Sequence, residues 1–530
     1  MKHVITFLLL SACAVPVMAG ERFPLPTGAF YYQPAGTVFG GEAIWINPAG
    51  MGRYDADGLQ MMADYRDGRA VKTWGALAHR KRMGIAYRQI EQASDSTIRE
   101  FVIGSGVKMG ADFEFGGSLS WFTDGPSLYD GRKHWNIGVL RRPGGPLSWG
   151  VVVGNLNRTK LNGELTETEL RYSLGYRPFG DKLTLAADAF LSTKTRFTNA
   201  EFVYHAEYTP IPGLYINGFV DSHRNIQIGA RVNLLKNFVG AKSGLDRSGH
   251  HRGTTVFTGM TEQRQPSVMR EPAKRLVIPL SQFGGENPVR PIFGSSTRSF
   301  AELILSLYRA STDPLVAEVT IIADRFRLSF AQAQEVRQAL RQLKNAGRKV
   351  VWFDASPGNL SYYVGSVADR IIIPPVSQLN LVGIRAELTF YAGTLAKLGI
   401  KADLLKIGEY KTAAEMFTQS AASEENRRQI DRLLDNYFAQ LINGIAEGRH
   451  ISSDSVRILV DHGPFTSAQA KQFGLVDQLA YQDQLDTCLS SSVKSIGYAR
   501  YVRDTLVTDQ WQSPPTVAVV VAEGEIVGRN

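Results

Sequence analysis

The chain has 530 residues, 44% of them hydrophobic and 21% charged, with 51 glycines and 23 prolines. That apolar content excludes a disordered chain, and glycines without a three-residue period exclude a collagen-like one. Lys+Arg of 59 against Asp+Glu of 50 leaves a net charge of +9 with no long basic run, so no nucleic-acid partner is expected.

Residues 1–19 read as a secretory signal, with Lys2 and His3 ahead of the apolar run Val4–Leu10 and small residues before Gly20. Leu10-Ser11-Ala12-Cys13 also fits a lipoprotein cleavage box; ordinary cleavage after Ala19 is preferred because the apolar stretch runs on to Val17. Both routes export the protein. Beyond residue 20 no apolar run reaches the 18 residues of a spanning helix. Cys488 is the one cysteine outside the leader, which excludes a Cys-based zinc site. His250 and His251 are adjacent, cannot share a helical face as ligands, and read as loop residues.

From 20 to 243 the hydrophobic period is two. Leu170–Arg177 and Ile226–Asn233 alternate large apolar with polar or small side chains, as a strand with one apolar face does. Further runs lie at 58–66, 70–79, 83–90, 100–108, 113–122, 134–141, 146–154, 182–190, 202–208 and 213–220. Turn chemistry at Asp67-Gly68, Asp124-Gly125-Pro126, Pro143-Gly144-Gly145, Asn162-Gly163 and Gly180-Asp181 separates them. About twelve such strands suit an antiparallel outer-membrane barrel, with a soluble β-sandwich as the competing reading. Trp121, Trp135, Trp149, Tyr172 and Tyr208 at strand ends favour the barrel. Asn47-Pro48-Ala49-Gly50 resembles a motif early in long-chain fatty-acid transporter-type barrels, a likeness of architecture alone.

Residues 244–272 are rich in Ser, Gly, Arg, Thr and Gln and read as a linker. From 273 to 512 strands alternate with amphipathic helices, the pattern of an α/β domain. The strand-like runs are 275–280, 317–322, 349–353, 371–373 and 402–407. The longest helix starts after the capping residue Ser423, and its stripe from Ile430 to Ile445 reads as core. No phosphate loop and no nucleophile elbow is present. Ser356, in Asp354–Gly358, suits a turn better than a nucleophile because no base lies near it in sequence.

Ser361–Ile371 and Ile407–Phe417, in this order, resemble the signal peptide peptidase A (protease IV) family over roughly 275–530. The resemblance implies a crotonase-like α/β fold, a ring of subunits, and hydrolysis of apolar signal peptides by a Ser–Lys dyad. It implies no metal or organic cofactor. Lys411 matches the family's general base, and its place after an apolar run leads us to expect burial. Lys401 and Lys406 precede the motif and read as solvated. The position corresponding to the nucleophile is Asn359, so this copy supplies the base alone. Thr516–Ile526 resembles the opening strand of a second copy, begun over 513–530, and the serine is expected beyond the chain as given. The fold expected is thus an N-terminal antiparallel β-barrel followed by an α/β crotonase-like domain. The function expected is an exported serine peptidase of the outer membrane with its α/β domain in the periplasm, self-associating and acting on peptides. A non-catalytic envelope scaffold, or a transport barrel with a periplasmic appendage, is the alternative.

Overall fold

The computed structural model describes residues 32–511 except 55, 67–68, 92–96, 124–130, 159, 162–163, 166, 194–196, 287–296, 490–492 and 505, together with 518 and 520. The expected signal sequence and nearly all of the expected second-copy start lie outside the described residues. The chain forms two units, one from residues up to Glu271 plus Arg503–Ala518, the other from Pro272–Val502 with the last residues of the chain.

In the first unit fourteen antiparallel strands close into a barrel, each pairing with its neighbours along the chain. The first strand, Asp57–Arg66, closes on the last, His251–Thr261, with Leu59 opposite Met260. Closure leaves no unpaired edge, and it replaces the sandwich reading. Two strands exceed the expected set: Asn237–Leu245 and His251–Thr261. The expected linker over 244–272 is therefore corrected, since barrel strand continues to Thr261, and His251 opens that strand while His250 stays in the turn. These two strands are rich in Gly, Thr and Ser because of how they pack. Phe257 lies over Gly240 and Phe238 over Gly259, where an added Cβ would come within 2.3 and 2.4 Å of the rings. A neighbouring glycine makes room for each inward aromatic ring.

The polarity of the barrel is inverted. Gln60, Arg88, Glu100, Asp188, His205 and Lys242 are buried inside, while Met61, Ile85, Ile137, Leu174 and Ile228 are exposed outside. Trp135, Tyr172 and Tyr208 share that outer face. Strand alternation makes the inversion possible, because successive side chains point to opposite faces.

The lumen holds the chain's own residues 32–54 as a plug. Asn47-Pro48-Ala49-Gly50 forms a buried 3-10 turn there, capped by the Asn47 side chain, which accepts from the Ala49 N–H at 3.2 Å. Asn47 Nδ2 also donates to the Ala35 carbonyl at 2.8 Å. Wall glycines admit this plug: a Cβ on Gly116 would sit 2.2 Å from the Pro48 carbonyl carbon, and one on Gly138 would sit 1.9 Å from Asn47 Oδ1. Asp188 holds the plug's start, accepting from the Tyr32 hydroxyl at 2.7 Å, from the Ala35 N–H at 3.1 Å and from Ser173.

The second unit is layered α/β. Six parallel strands run in the order Lys494–Gly497, Lys274–Pro279, Val316–Ile322, Lys349–Phe353, Arg370–Ile373 and Gln478–Leu479. Four of the five expected strands are among them. Helices Phe300–Thr312 and Phe330–Asn345 start at Ser299 and Ser329, whose hydroxyls accept from the third residue of each helix. Their apolar faces meet Leu276, Ile321, Trp352 and Ile371 in one core. Among the described residues no helix is long and apolar enough to cross a membrane, which says nothing of strands. The fold class expected from the sequence, an antiparallel barrel followed by an α/β domain, is the one the chain adopts.

Candidate active site

A parallel sheet carries its chemistry beyond the carboxyl ends of its strands. There, a crevice of about 320 Å³ lies between the segments that follow Val316–Ile322 and Lys349–Phe353. Asp324, Phe326, Asp354, Ser356, Asn359 and Ser361 line it. Asp354 is buried and accepts from the Ser356 N–H at 2.9 Å. Burial pushes its carboxyl above the ordinary range, against hydrogen bonding from Ser361, the Ser356 N–H and Trp352.

Asn359 is committed as a clamp. Its Nδ2 donates to the Val382 carbonyl at 2.8 Å and its Oδ1 accepts from the Val382 N–H at 2.9 Å. Both ends of the amide are thus tied to the extended segment after Gln378–Leu379. Ser356 is exposed, and its backbone serves the Asp354 turn, as its sequence suggests. Behind the crevice, Tyr362 donates to the Leu475 carbonyl at 2.7 Å, and Arg337 lies beneath Tyr363. Arg337 donates to the Tyr363 carbonyl at 2.5 Å, to Ser366 Oγ at 2.7 Å and to the Gly444 carbonyl. Burial lowers its pKa to about 10.

The run 402–407 is not a strand, contrary to expectation: Leu405 is 96% and Ile407 84% exposed, and the segment pairs with no strand. Lys411 is exposed too, so its expected burial is not found in the single chain. It caps the short turn Thr412–Ala414, and its N–H reaches the Gly408 carbonyl at 3.3 Å. Gly408 takes φ +95°, a conformation that favours glycine and that reverses the chain before Lys411. The segment is tied to helix Glu424–Arg449: Gln429 donates to the Tyr410 carbonyl at 2.9 Å and accepts from Thr412 at 3.2 Å. Only the second half of that helix is core. Leu441, Ile442 and Ile445 are buried, whereas Leu433 and Tyr437 are exposed.

The firmest anchor of this arm escaped the sequence reading. Glu415 is buried, accepting from Ser423 Oγ at 2.7 Å, the Ser423 N–H at 3.2 Å and Asn426 Nδ2 at 3.0 Å. Lys406, expected to be solvated, lies 3.5 Å from the same carboxylate. The Ser423 hydrogen bond leads in holding Glu415 below its ordinary pKa. Its one sequence signal is its distance from a capping serine. Among the described residues no three His, Cys, Asp or Glu side chains gather where they could hold a metal ion.

Residues 342–495 match the family described as Peptidase family S49. The chain is similar to the chloroplastic serine protease SPPA of Arabidopsis thaliana, 26% identical over 195 residues, covering 37% of this chain and 29% of that protein. It is similar to Protease 4 of Haemophilus influenzae, 25% identical over 268 residues, covering 47% of this chain and 42% of the relative. The chain thus spans less than half the length of these two curated relatives. Among solved structures it is similar to the CymD monoaromatic hydrocarbon channel, at 11% identity and a TM-score of 0.28, covering 43% of this chain and 93% of that one. The S49 stretch includes the Asp354–Ser361 side of the crevice and the Lys411 arm.

Proposed function

We propose that the protein is an exported serine peptidase of the signal peptide peptidase type, held in the outer membrane by its barrel and acting on apolar peptides from the periplasmic side. The observation that carries the peptidase reading is the S49 match, which spans the Asp354–Ser361 side of the crevice and the Lys411 arm. The membrane reading rests on the barrel's inverted polarity. Side chains such as Met83, Ile85 and Ile228, each at least 60% exposed, form an outer face suited to lipid.

Lys411 acts as general base. A lysine accepts a proton only while its amine is uncharged, which requires removal from bulk water. The single chain leaves it exposed, so the cover comes from a second copy of the chain. The exposed apolar side chains of the same arm, Leu388, Leu398, Leu404, Leu405 and Ile407, support such an assembly surface. The serine comes from outside this S49 stretch, because Asn359 holds the corresponding place. Its hydroxyl oxygen attacks the scissile carbonyl carbon while its proton passes to Lys411 Nζ. The C–N bond then breaks as Nζ returns that proton to the leaving amine. Water hydrolyses the acyl ester by the same proton path and restores the serine. Backbone N–H groups hold the oxyanion.

A second reading, a peptide-binding scaffold without catalysis, is favoured by Asn359, whose amide is engaged at both ends. Hydrolysis of an apolar signal peptide by the protein from its full reading frame separates the two. Lys411→Ala should lower kcat by about a thousandfold or more, and Lys401→Ala should leave it unchanged. Unchanged hydrolysis in Lys411→Ala overturns the mechanism, and no hydrolysis by the parent protein supports the scaffold.

A further inference from the structure

After the α/β unit the chain returns to the barrel, and Leu506–Trp511 lies across it half-buried, with Trp511 inserted. Val507 donates its N–H to the Arg264 carbonyl at 2.7 Å. The Asp509 carboxylate lies between two guanidinium groups, 3.2 Å from Arg142 Nη1 and 2.6 Å from Arg177 Nη2. Arg177 also donates to the Asp509 carbonyl at 2.6 Å, and its guanidinium covers the Trp511 ring at 4.2 Å. Trp511 is buried against Gly175, where an added Cβ would come within 2.9 Å of the indole. Arg142 is fully buried and donates its other nitrogen to the plug carbonyl of Val38 at 2.8 Å. Removing Asp509 would take a carboxylate in direct contact away from this buried guanidinium, which is costly.

Beneath this strap is a chamber of about 140 Å³, bounded by the plug, the barrel wall and Val507–Asp509. Three of its lining side chains are more than nine-tenths buried and bear an atom without a hydrogen-bond partner among the described residues: Glu42 Oε1, Gln60 Nε2 and His205 Nδ1. Arg231 Nη1 stands 3.9 Å from Glu42 Oε1, an ion pair too long to be a hydrogen bond. The buried carboxylate oxygen still calls for a donor at hydrogen-bond distance and the buried amide nitrogen for an acceptor, and leaving both unmet is costly. We propose that Leu506–Trp511 is a lock over this chamber, and that the chamber takes a small polar solute carrying both a hydrogen-bond donor and an acceptor. Such a solute satisfies Glu42 and Gln60 together, which an apolar one does not. The inference goes beyond the peptidase reading and needs neither catalysis nor a membrane.

The test uses the full chain with Cys488→Ser and with Asn217→Cys, a buried chamber-lining position. Iodoacetamide should alkylate this thiol at least about a hundredfold faster once Asp509→Ala and Trp511→Ala undo the lock. Acetamide should then compete with the labelling. Equal rates with and without the lock overturn the lock, and labelling that acetamide leaves unslowed reduces the chamber to a water-filled space and overturns the solute. Hydrogen exchange monitors folding in parallel. The amides of Leu183–Ser192 should stay protected while that of Val507 loses protection. If the double variant exposes the barrel amides, Trp511→Ala alone, which keeps both Arg–Asp509 pairs, carries the same test.

Discussion

The two units of this chain solve burial in opposite directions. In the α/β unit Leu276, Ile321, Val350 and Ile371 are interior, and the few buried charged groups are held individually, Arg275 by Glu318 and Asp354 by the Ser356 N–H. In the barrel Arg88 pairs with Glu100 inside, and Ile85, Ile137 and Ile228 face out. The parallel strands are buried on both faces and read as continuous apolar runs, whereas the barrel strands alternate, and alternation alone does not tell which face meets water. Only the partners supplied by the rest of the chain do.

The sharpest contrast comes from deleting methylenes. Ile445→Ala, in the α/β core, should cost about 2–5 kcal/mol, because a cavity is left behind. Ile228→Ala, on the outer face of the barrel, should cost less than about 1 kcal/mol. Denaturant unfolding of the two units checks both values, and equal costs would erase the distinction. Charge insertion reverses the ranking. Ile85→Arg should destabilise the barrel in bilayers by about 2–4 kcal/mol. Leu305→Arg, equally exposed on the helix Phe300–Thr312, should stay within about 0.5 kcal/mol.

The plug offers a smaller effect. Asp188→Asn removes one acceptor from a group that serves three donors, Tyr32, Ala35 and Ser173. Residues 32–38 should then loosen by about 1–3 kcal/mol in hydrogen exchange while the wall strands keep their protection. The smallest effect is set by pH, and the arm and the crevice should respond with opposite signs. Glu415 is held below its ordinary value of 4.5, so its contribution is complete above that value and fades as the pH falls through the lowered one. Proteolysis within 406–423 should therefore quicken on acidification, and Glu415→Gln should flatten the response. Asp354 is raised above its ordinary value of 3.8, so its contribution declines as the pH rises from that value to the raised one. Crevice amides should exchange faster over that rise, and Asp354→Asn should remove the change.

Much of the architecture was legible in the sequence, for reasons that vary along the chain. Strands such as Leu170–Arg177 announce themselves because one face is uniformly large and apolar. Asn237–Leu245 and His251–Thr261 do not, because each gives an inward phenylalanine to the plug and sets a glycine beneath its neighbour's ring. That trade is visible only once the strands are paired. Asn47-Pro48-Ala49-Gly50 marked barrel architecture, but its seat in the lumen depends on Gly116 and Gly138, far along the chain. In the α/β unit the parallel strands were readable as apolar runs. The failure at 402–407 is instructive: Leu404, Leu405 and Ile407 look like a buried strand, yet within one chain they are covered by nothing described. An apolar run reports a need for cover, not its source. Lys411 inherits the same ambiguity. Asn359 was readable as a missing nucleophile, but its double hydrogen bond to Val382 needed the fold.

The inverted polarity of the barrel is most directly tested by spin labels placed singly along Met83–Glu91 in the full-length protein reconstituted in lipid vesicles. Labels at 83, 85 and 87 should be relaxed by oxygen dissolved in the lipid and shielded from a water-soluble nickel chelate, and labels at 84, 86 and 88 should escape lipid oxygen. A chain that stays dispersed without detergent, with the odd-numbered labels open to the chelate, would contradict the account.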